Sequence, residues 1–389
     1  MDFELWYLIL VPLLFAAGWF ARSFDIKEKQ TIADEKDTLY KGVDLLLSNK
    51  QDQAIDAFIN LVKLDPDTVE MHFSLAGLFR RRGEFDRAIK IHNVLVNRED
   101  LPKKIRSRAL YELGEDYLKA GLWDRAEESF LKLSDTSESY KTSACKELLH
   151  IYETEKEWQK AIDEANIIQR QSGEDQSTRI AQLYCELTQQ NLYFKNFKGA
   201  AEALEKALKV DPNNKRALII KGKMLKAKVD IDGALATWKQ VGQISPAYGT
   251  LVVDQIASLL LEAGRKEEAV QYLEDLFKDG STTDEVDTAG ILLGKAGNSK
   301  EAIALIQEHL KTQPTLVAFY RLIDLRLANE PENESLKQLH GLLKNMLSKA
   351  VRYKCTKCGF ATRKFLWRCP GCHQWETFPP VRQENLSGR

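Results

Sequence analysis

An alanine recurs along this 389-residue chain at Ala54, Ala88, Ala126, Ala161, Ala200, Ala234, Ala269 and Ala302, in steps of 34, 38, 35, 39, 34, 35 and 33 residues. A period near 34 constrains the fold more than any single motif. One unit of that length is a pair of helices too small to cover its own apolar face, so successive units must stack. Close stacking demands small residues at fixed phase, and a second set lies twelve residues before each alanine: Gly42, Ala76, Gly114, Gly222, Ala257 and Gly290, with Leu149 and Thr188 as bulkier exceptions. Three residues further on comes a larger group: Leu45, Phe79, Tyr117, Tyr152, Leu225, Leu260 and Leu293, with Asn191 breaking the rule. Phe58, Phe130, Leu204, Trp238, Leu273 and Ile306 follow the reference alanine by four, as fillers. Pro66, Pro212, Pro246 and Pro314 stand twelve beyond it, where a ring without an N–H stops the second helix.

These residues resemble the tetratricopeptide repeat, over eight units and a degenerate ninth within residues 35–350. The resemblance implies a mainly α chain, wound as a superhelix whose first helices line a groove suited to binding other chains. Exposed first-helix positions there include Arg80, Arg81, Lys119, Lys223 and Lys226, a basic lining that fits an acidic segment. Extra residues near 101–106 and 174–178 are expected to form longer loops that interrupt the stacking.

Ahead of the repeats, residues 5–21 (LWYLILVPLLFAAGWFA) carry no charge. As a helix they reach about 25 Å, enough to span a hydrocarbon core. Trp6, Tyr7 and Trp19 sit where rings favour the headgroup layer. A cleaved leader would begin with basic residues, whereas this chain begins with Asp2 and Glu4. Residues 1–21 are therefore expected to be a transmembrane anchor and 22–34 a juxtamembrane linker. Arg22, Lys27 and Lys29 lie just after the span, so the positive-inside rule puts the bulk of the chain on the cytoplasmic side.

At the other end, Cys355-Thr-Lys-Cys358 and Cys369-Pro-Gly-Cys372 form two C-x2-C pairs. Such knuckles bring two sulfurs each to one ion and aim backbone N–H groups at the thiolates, which closes a tetrahedral four-sulfur shell. No coordination position remains for water or substrate, so the metal is structural. Zinc is the first choice, and iron fits the same cage. A domain of this size has too little core to fold alone, and metal binding would supply on the order of 10 kcal/mol. Phe360, Phe365, Trp367, Trp375 and Phe378 are its expected core, with some rings left to dock on the last repeats. His373 reads as a surface group, and Cys145 and Cys185 as small buried apolar groups. Residues 351–389 thus resemble a rubredoxin-type zinc ribbon with a tail.

Charge divides along the same boundary. Residues 349–389 net +7 and the preceding 348 net −8, which suggests either that a positive ribbon packs on an acidic body or that the tail meets a polyanionic partner, and charge alone does not choose. The ribbon is also similar to the knuckle that opens a bacterial DNA-repair ATPase family. The chain has no G-x-x-x-x-G-K-[ST] loop to hold phosphates, however, and nucleic acid is not an expected partner. G-x-S-x-G and H-E-x-x-H are missing too, and the six histidines are scattered singly, so no enzymatic chemistry is expected.

Anchor, repeats and ribbon together resemble the lipopolysaccharide assembly protein B family of Gram-negative bacteria, over the full chain. That resemblance implies a non-enzymatic inner-membrane adaptor. It would regulate lipopolysaccharide synthesis by presenting the lipid A pathway deacetylase to a membrane-bound ATP-dependent metalloprotease. Other lipopolysaccharide assembly proteins, and lipopolysaccharide itself, are further implied partners. The competing reading is a general scaffold that gathers synthesis and export proteins at the membrane.

Overall fold

The computed structural model describes residues 40, 44–45, 53, 69–277, 283–349 and 353–380. The expected span at 5–21, the linker at 22–34, most of the first repeat and the tail beyond 380 lie outside the described residues. Among the described residues no helix is long and apolar enough to cross a membrane.

The helical hairpins implied by the repeat are present, in two compact units divided between residues 174 and 175. The first unit holds α1 (Val69–Arg81), α2 (Phe85–Val96), α3 (Lys103–Lys119), α4 (Trp123–Thr136), α5 (Glu138–Glu155) and α6 (Trp158–Ser172). In the second are α7 (Ser177–Tyr193), α8 (Phe197–Val210), α9 (Lys215–Ala227), α10 (Ile231–Ile244) and the one-turn α11 (Pro246–Gly249). They are followed by α12 (Val253–Glu262), α13 (Lys266–Asp275), α14 (Thr283–Lys295), α15 (Ser299–Thr312), α16 (Leu316–Asn329) and α17 (Glu334–Lys349). Strands β1 (Tyr353–Lys354) and β2 (Ala361–Thr362) close the second unit. Within each unit neighbouring helices pack in chain order. Side-chain caps start five of these helices: Asn196, Asn214, Asp230, Thr315 and Asn333 accept from the backbone N–H three residues on, satisfying a donor that the helix itself cannot. Pro212, Pro246 and Pro314 each stand two residues past the end of a second helix.

Size complementarity explains the repeat phase. The reference alanines from Ala88 to Ala302 are all fully buried. At Gly114 an added methyl would lie 2.6 Å from the Phe130 ring, and at Gly222 it would lie 2.5 Å from Trp238 Cδ1. Glycine on the first helix therefore makes room for the aromatic filler on the second. The fourth repeat trades these volumes: Leu149 occupies the small site, and Ala165 takes the filler position, both at 0% exposure. What looks like an exception in one column of the repeat is compensated in another.

Charged residues spaced about one repeat apart tie successive hairpins together. Arg80 on α1 reaches Glu112 at 2.6 Å and Asp116 at 2.5 Å on α3. Buried Asp116 also meets His92 Nδ1 at 2.6 Å. Arg321 pairs with Asp287 in the same manner at 2.9 Å, with both side chains 13% exposed.

The longer loop expected at 174–178 is not found. Only residues 173–176 separate α6 from α7, and α7 runs for 17 residues against 13 in α9. The additional residues continue the first helix, because helix extension satisfies backbone groups that a loop would leave to water. Near residue 101 the connection is six residues long, and Leu101 turns inward against Phe73, Leu95 and Ala109.

Candidate metal centre

The ribbon begins as an antiparallel pair, with Tyr353 opposite Thr362 and Lys354 opposite Ala361. The first knuckle turns at Gly359 with φ 76, and its N–H donates to the Cys355 carbonyl at 3.0 Å. The second repeats that bond from His373 to the Cys369 carbonyl at 2.9 Å, with His373 itself at φ 57. The left-handed turn thus falls on an exposed histidine, not on Gly371.

The four sulfurs lie within 4.8 Å of one another. Cys355 Sγ and Cys372 Sγ are 3.7 Å apart, and Cys358 Sγ and Cys369 Sγ 3.6 Å. A tetrahedron with metal–sulfur bonds of about 2.3 Å has sulfur–sulfur edges of about 3.8 Å. The arrangement therefore fits one structural ion, and is far too open for disulfides. Burial raises the Cys355 thiol, but hydrogen bonds from Thr377 and from the N–H groups of Cys358 and Lys357 outweigh it and bring the thiol down to about 6. At Cys372 a backbone hydrogen bond from Gln374 pulls downward. Burial and the neighbouring sulfurs of Cys369, Cys355 and Cys358 prevail there, pushing the thiol up to about 12. Four crowded sulfurs cannot all ionise without a cation between them, which a divalent ion supplies.

Around the sulfurs, Phe378 is fully buried, with Tyr353, Phe365 and Leu366 packed beside it. Phe360, expected in this core, is 42% exposed. Phe365 and Trp367 face outward onto the repeats, where they join the cluster of Trp238, Tyr248 and Val252. Tyr248 stacks on Trp367 with centroids 5.6 Å apart and planes at 21°. The Arg216 guanidinium lies 5.7 Å from the Trp367 ring centre and 5.8 Å from that of Trp375. It is only 5% exposed and is held by Glu186 at 2.9 Å and Gln182 at 3.2 Å.

Glu376 is the polar centre of this contact. Its carboxylate accepts from Gln182 Nε2 at 2.7 Å, Lys215 Nζ at 3.1 Å and Asn214 Nδ2 at 3.5 Å. At the edge, Thr250 Oγ1 donates to the Pro380 carbonyl at 3.2 Å.

Two expectations are corrected here. The ribbon docks on α7, α9 and α11, in the fifth to seventh repeats, and not on the last ones. The local charges also run opposite to the net ones: the repeats supply Arg216 and Lys215, and the basic module supplies one of its two acids. Net charge acts at long range, while a desolvated contact is decided by individual hydrogen bonds and ring faces. Tyr248 and Thr250 could have been suspected from the sequence, because Pro246 and Gly249 mark a break in a first helix. Glu376 left no such signal.

The remaining sites predicted from sequence are scattered. Arg80 is engaged by Glu112 and Asp116, and Lys226 pairs with Glu262 at 2.7 Å. Arg81, Lys119 and Lys223 are exposed. Arg80, Arg81 and Lys119 belong to the first unit, Lys223 and Lys226 to the second. Cys145 and Cys185 are buried, and burial pushes both thiols up to about 12.

Comparison with known proteins agrees with this architecture. Residues 353–380 match the rubredoxin metal binding domain family, and residues 41–100 the tetratricopeptide repeat. Lipopolysaccharide assembly protein B of Escherichia coli strain K12 is 35% identical over 96% of this chain and 97% of its own length. The Haemophilus influenzae protein of the same name is 29% identical over 97% of this chain and 98% of its own. Among solved structures, a tetratricopeptide repeat protein from Parabacteroides merdae covers 72% of this chain and 100% of its own, with 15% identity and a TM-score of 0.32.

Proposed function

The chain belongs to the lipopolysaccharide assembly protein B family, and from that membership we propose that it is a non-enzymatic inner-membrane adaptor controlling lipopolysaccharide synthesis. In this reading residues 1–21 anchor it by a single pass, residues 22–34 link the anchor to repeats over 35–350, and the bulk of the chain lies on the cytoplasmic side. The repeats and the ribbon present the lipid A pathway deacetylase to a membrane-bound ATP-dependent metalloprotease. Tethering confines the encounter to the membrane plane, which raises effective concentration and lets weak contacts suffice. Arg81, Lys119 and Lys223 are exposed first-helix cations available to an acidic partner segment.

The observation that carries the proposal is the ribbon's seat on the fifth to seventh repeats. Metal site and repeat surface then act as one body, and a partner meets both together. The test is the half-life of the deacetylase in cells with the intact chain, without it, and with Cys369→Ser. A half-life that lengthens in both altered strains supports the adaptor. An unchanged half-life, with lipopolysaccharide export proteins still recovered alongside the chain, supports the general scaffold instead.

A further inference from the structure

Three of the most exposed large apolar side chains in the described structure fall within five residues: Tyr193 at 82%, Phe194 at 69% and Phe197 at 67%. The repeat supplies its own control for Tyr193 and Phe194, whereas at the phase of Phe197 other units also carry aromatics, Phe85, Trp123 and Trp158, each less exposed than Phe197. The two residues at the phase of Tyr193 and Phe194, closing the first helix, are Arg81 and Arg82, Lys119 and Ala120, Thr154 and Glu155, Ala227 and Lys228, Glu262 and Ala263, and Lys295 and Ala296 in the other units. Polar residues or alanine serve in all of these, and the first repeat has Leu47 and Ser48 in sequence, so stacking does not require an aromatic pair here.

The next position deepens the contrast. Each described unit turns there through the left-handed region, at Gly83, Gly121, Lys156, Lys195, Val229, Gly264 and Gly297. Val229, one repeat after Lys195, holds φ 64 with a β-branched side chain that is 79% exposed. That conformation is unfavourable for valine, and burial does not offset it. Around these apolar groups stand Lys195, Lys198 and Lys228, all exposed. The nearby carboxylate of Asp230 is occupied in capping Gly233.

Exposed rings within a ring of unneutralised lysines have the chemistry of a bilayer-contacting edge. Aromatic side chains favour the headgroup layer, and lysines favour anionic phosphates. A second copy of the chain is a poor occupant, because a self-complementary contact would set these lysines against themselves. We propose that the turns at 193–198 and 227–229 dock on the surface of an anionic lipid bilayer, with Tyr193, Phe194, Phe197 and Val229 in the headgroup layer and Lys195, Lys198 and Lys228 against phosphates. The proposal rests on the membrane reading above only in that the anchor brings a bilayer within reach.

The test is amide hydrogen exchange of the full chain in nanodiscs of phosphatidylcholine alone and of phosphatidylcholine with phosphatidylglycerol. Exchange at 193–198 and 227–231 should slow about tenfold in the anionic discs, a modest share of what three lysines can contribute. The equivalent turns at 119–122 and 262–265 should not change. In the variant Tyr193→Ser, Phe194→Ser, Phe197→Ser the slowing should vanish. Equal exchange in both discs overturns the proposal, as does protection that survives the triple substitution. Protection that appears only when membrane proteins are added also overturns it, in favour of a protein partner. Co-elution of the triple variant with the discs reports on the anchor separately.

Discussion

Replacing Glu376 with alanine should release the ribbon from the repeats while leaving its metal in place. The carboxylate holds two principal partners. Gln182 is fully buried, so losing its acceptor leaves an amide that water does not reach, costing about 1 to 3 kcal/mol. Lys215 is 23% exposed at its side chain and rehydrates, so its ion pair contributes about 1 kcal/mol or less. The backbone of residue 376 sits at φ 53, a conformation alanine tolerates no better than glutamate, so no compensating gain arises there. The sum is about 3 kcal/mol, which raises the undocked population roughly a hundredfold. Hydrogen exchange followed by mass spectrometry should show this as faster exchange across residues 365–376 and 177–193, with metal content unchanged. Glu376→Gln keeps an acceptor for Gln182 and gives up the ion pair, so its effect should be about fivefold. Exchange within twofold of the parent for Glu376→Ala, at full metal content, would refute the assignment of Glu376 as the centre of the docking contact.

Three further outcomes follow from the packing and electrostatics. Gly222→Ala forces a methyl within 2.5 Å of Trp238 Cδ1; overpacking toward the upper end of about 1 to 3 kcal/mol, less about 1 kcal/mol for alanine's better helix propensity, leaves a net loss of up to about 2 kcal/mol in urea unfolding. Trp238→Leu combined with it should cost less than the two changes added separately. Burial, then the charge of Glu115, raises Glu147 from 4.5 to about 7. An acid with a raised native pKa is a liability once ionised: its cost grows as pH climbs from about 4.5 to 7 and is constant above. Glu147→Gln should therefore stabilise the protein by about 1 to 2 kcal/mol at pH 8, after allowing for solvent screening of a partly exposed group, and by nothing measurable at pH 4, in thermal melts at the two pH values. Cys369→Ser removes one of four ligands, and dialysis against a chelator should strip its metal under conditions in which the parent keeps one ion per chain, as read by elemental analysis.

The sequence and the structure agree where one residue type has one physical use. Ala88 through Ala302, the glycines opposite Phe130 and Trp238, the prolines past the second helices and the paired cysteines each report a single constraint, and each could be placed by spacing alone. Positions that work through partners were harder to read. Leu149 looked irregular until Ala165 was seen to surrender the matching volume. Arg80 read as a groove residue, yet its length lets it reach Glu112 and Asp116 one repeat away. The docking face was misplaced because net charge sums over a whole surface. Gln182 and Lys215 meet Glu376 across 194 and 161 positions of chain, and Tyr248 and Arg216 meet Trp367 over similarly long separations. Nothing local in the sequence records such a meeting.

That long return of the chain alters how the array comes apart. A stack whose members touch only their neighbours frays from its ends, each terminal hairpin opening at its own small cost. Here the chain beyond α17 comes back to α7, α9 and α11, so the repeats from α12 to α17 lie inside a closed circuit with no free end. None of them can fray from a free end, so opening one breaks its packing on both sides unless the ribbon is released first. The contact also has a sequence separation near half the chain length, which makes it late in folding, since loop closure must be met before the contact forms. The ribbon at the far end thus acts as a clasp: its docking is the last contact fastened, and the stability of residues well away from any sulfur depends on it.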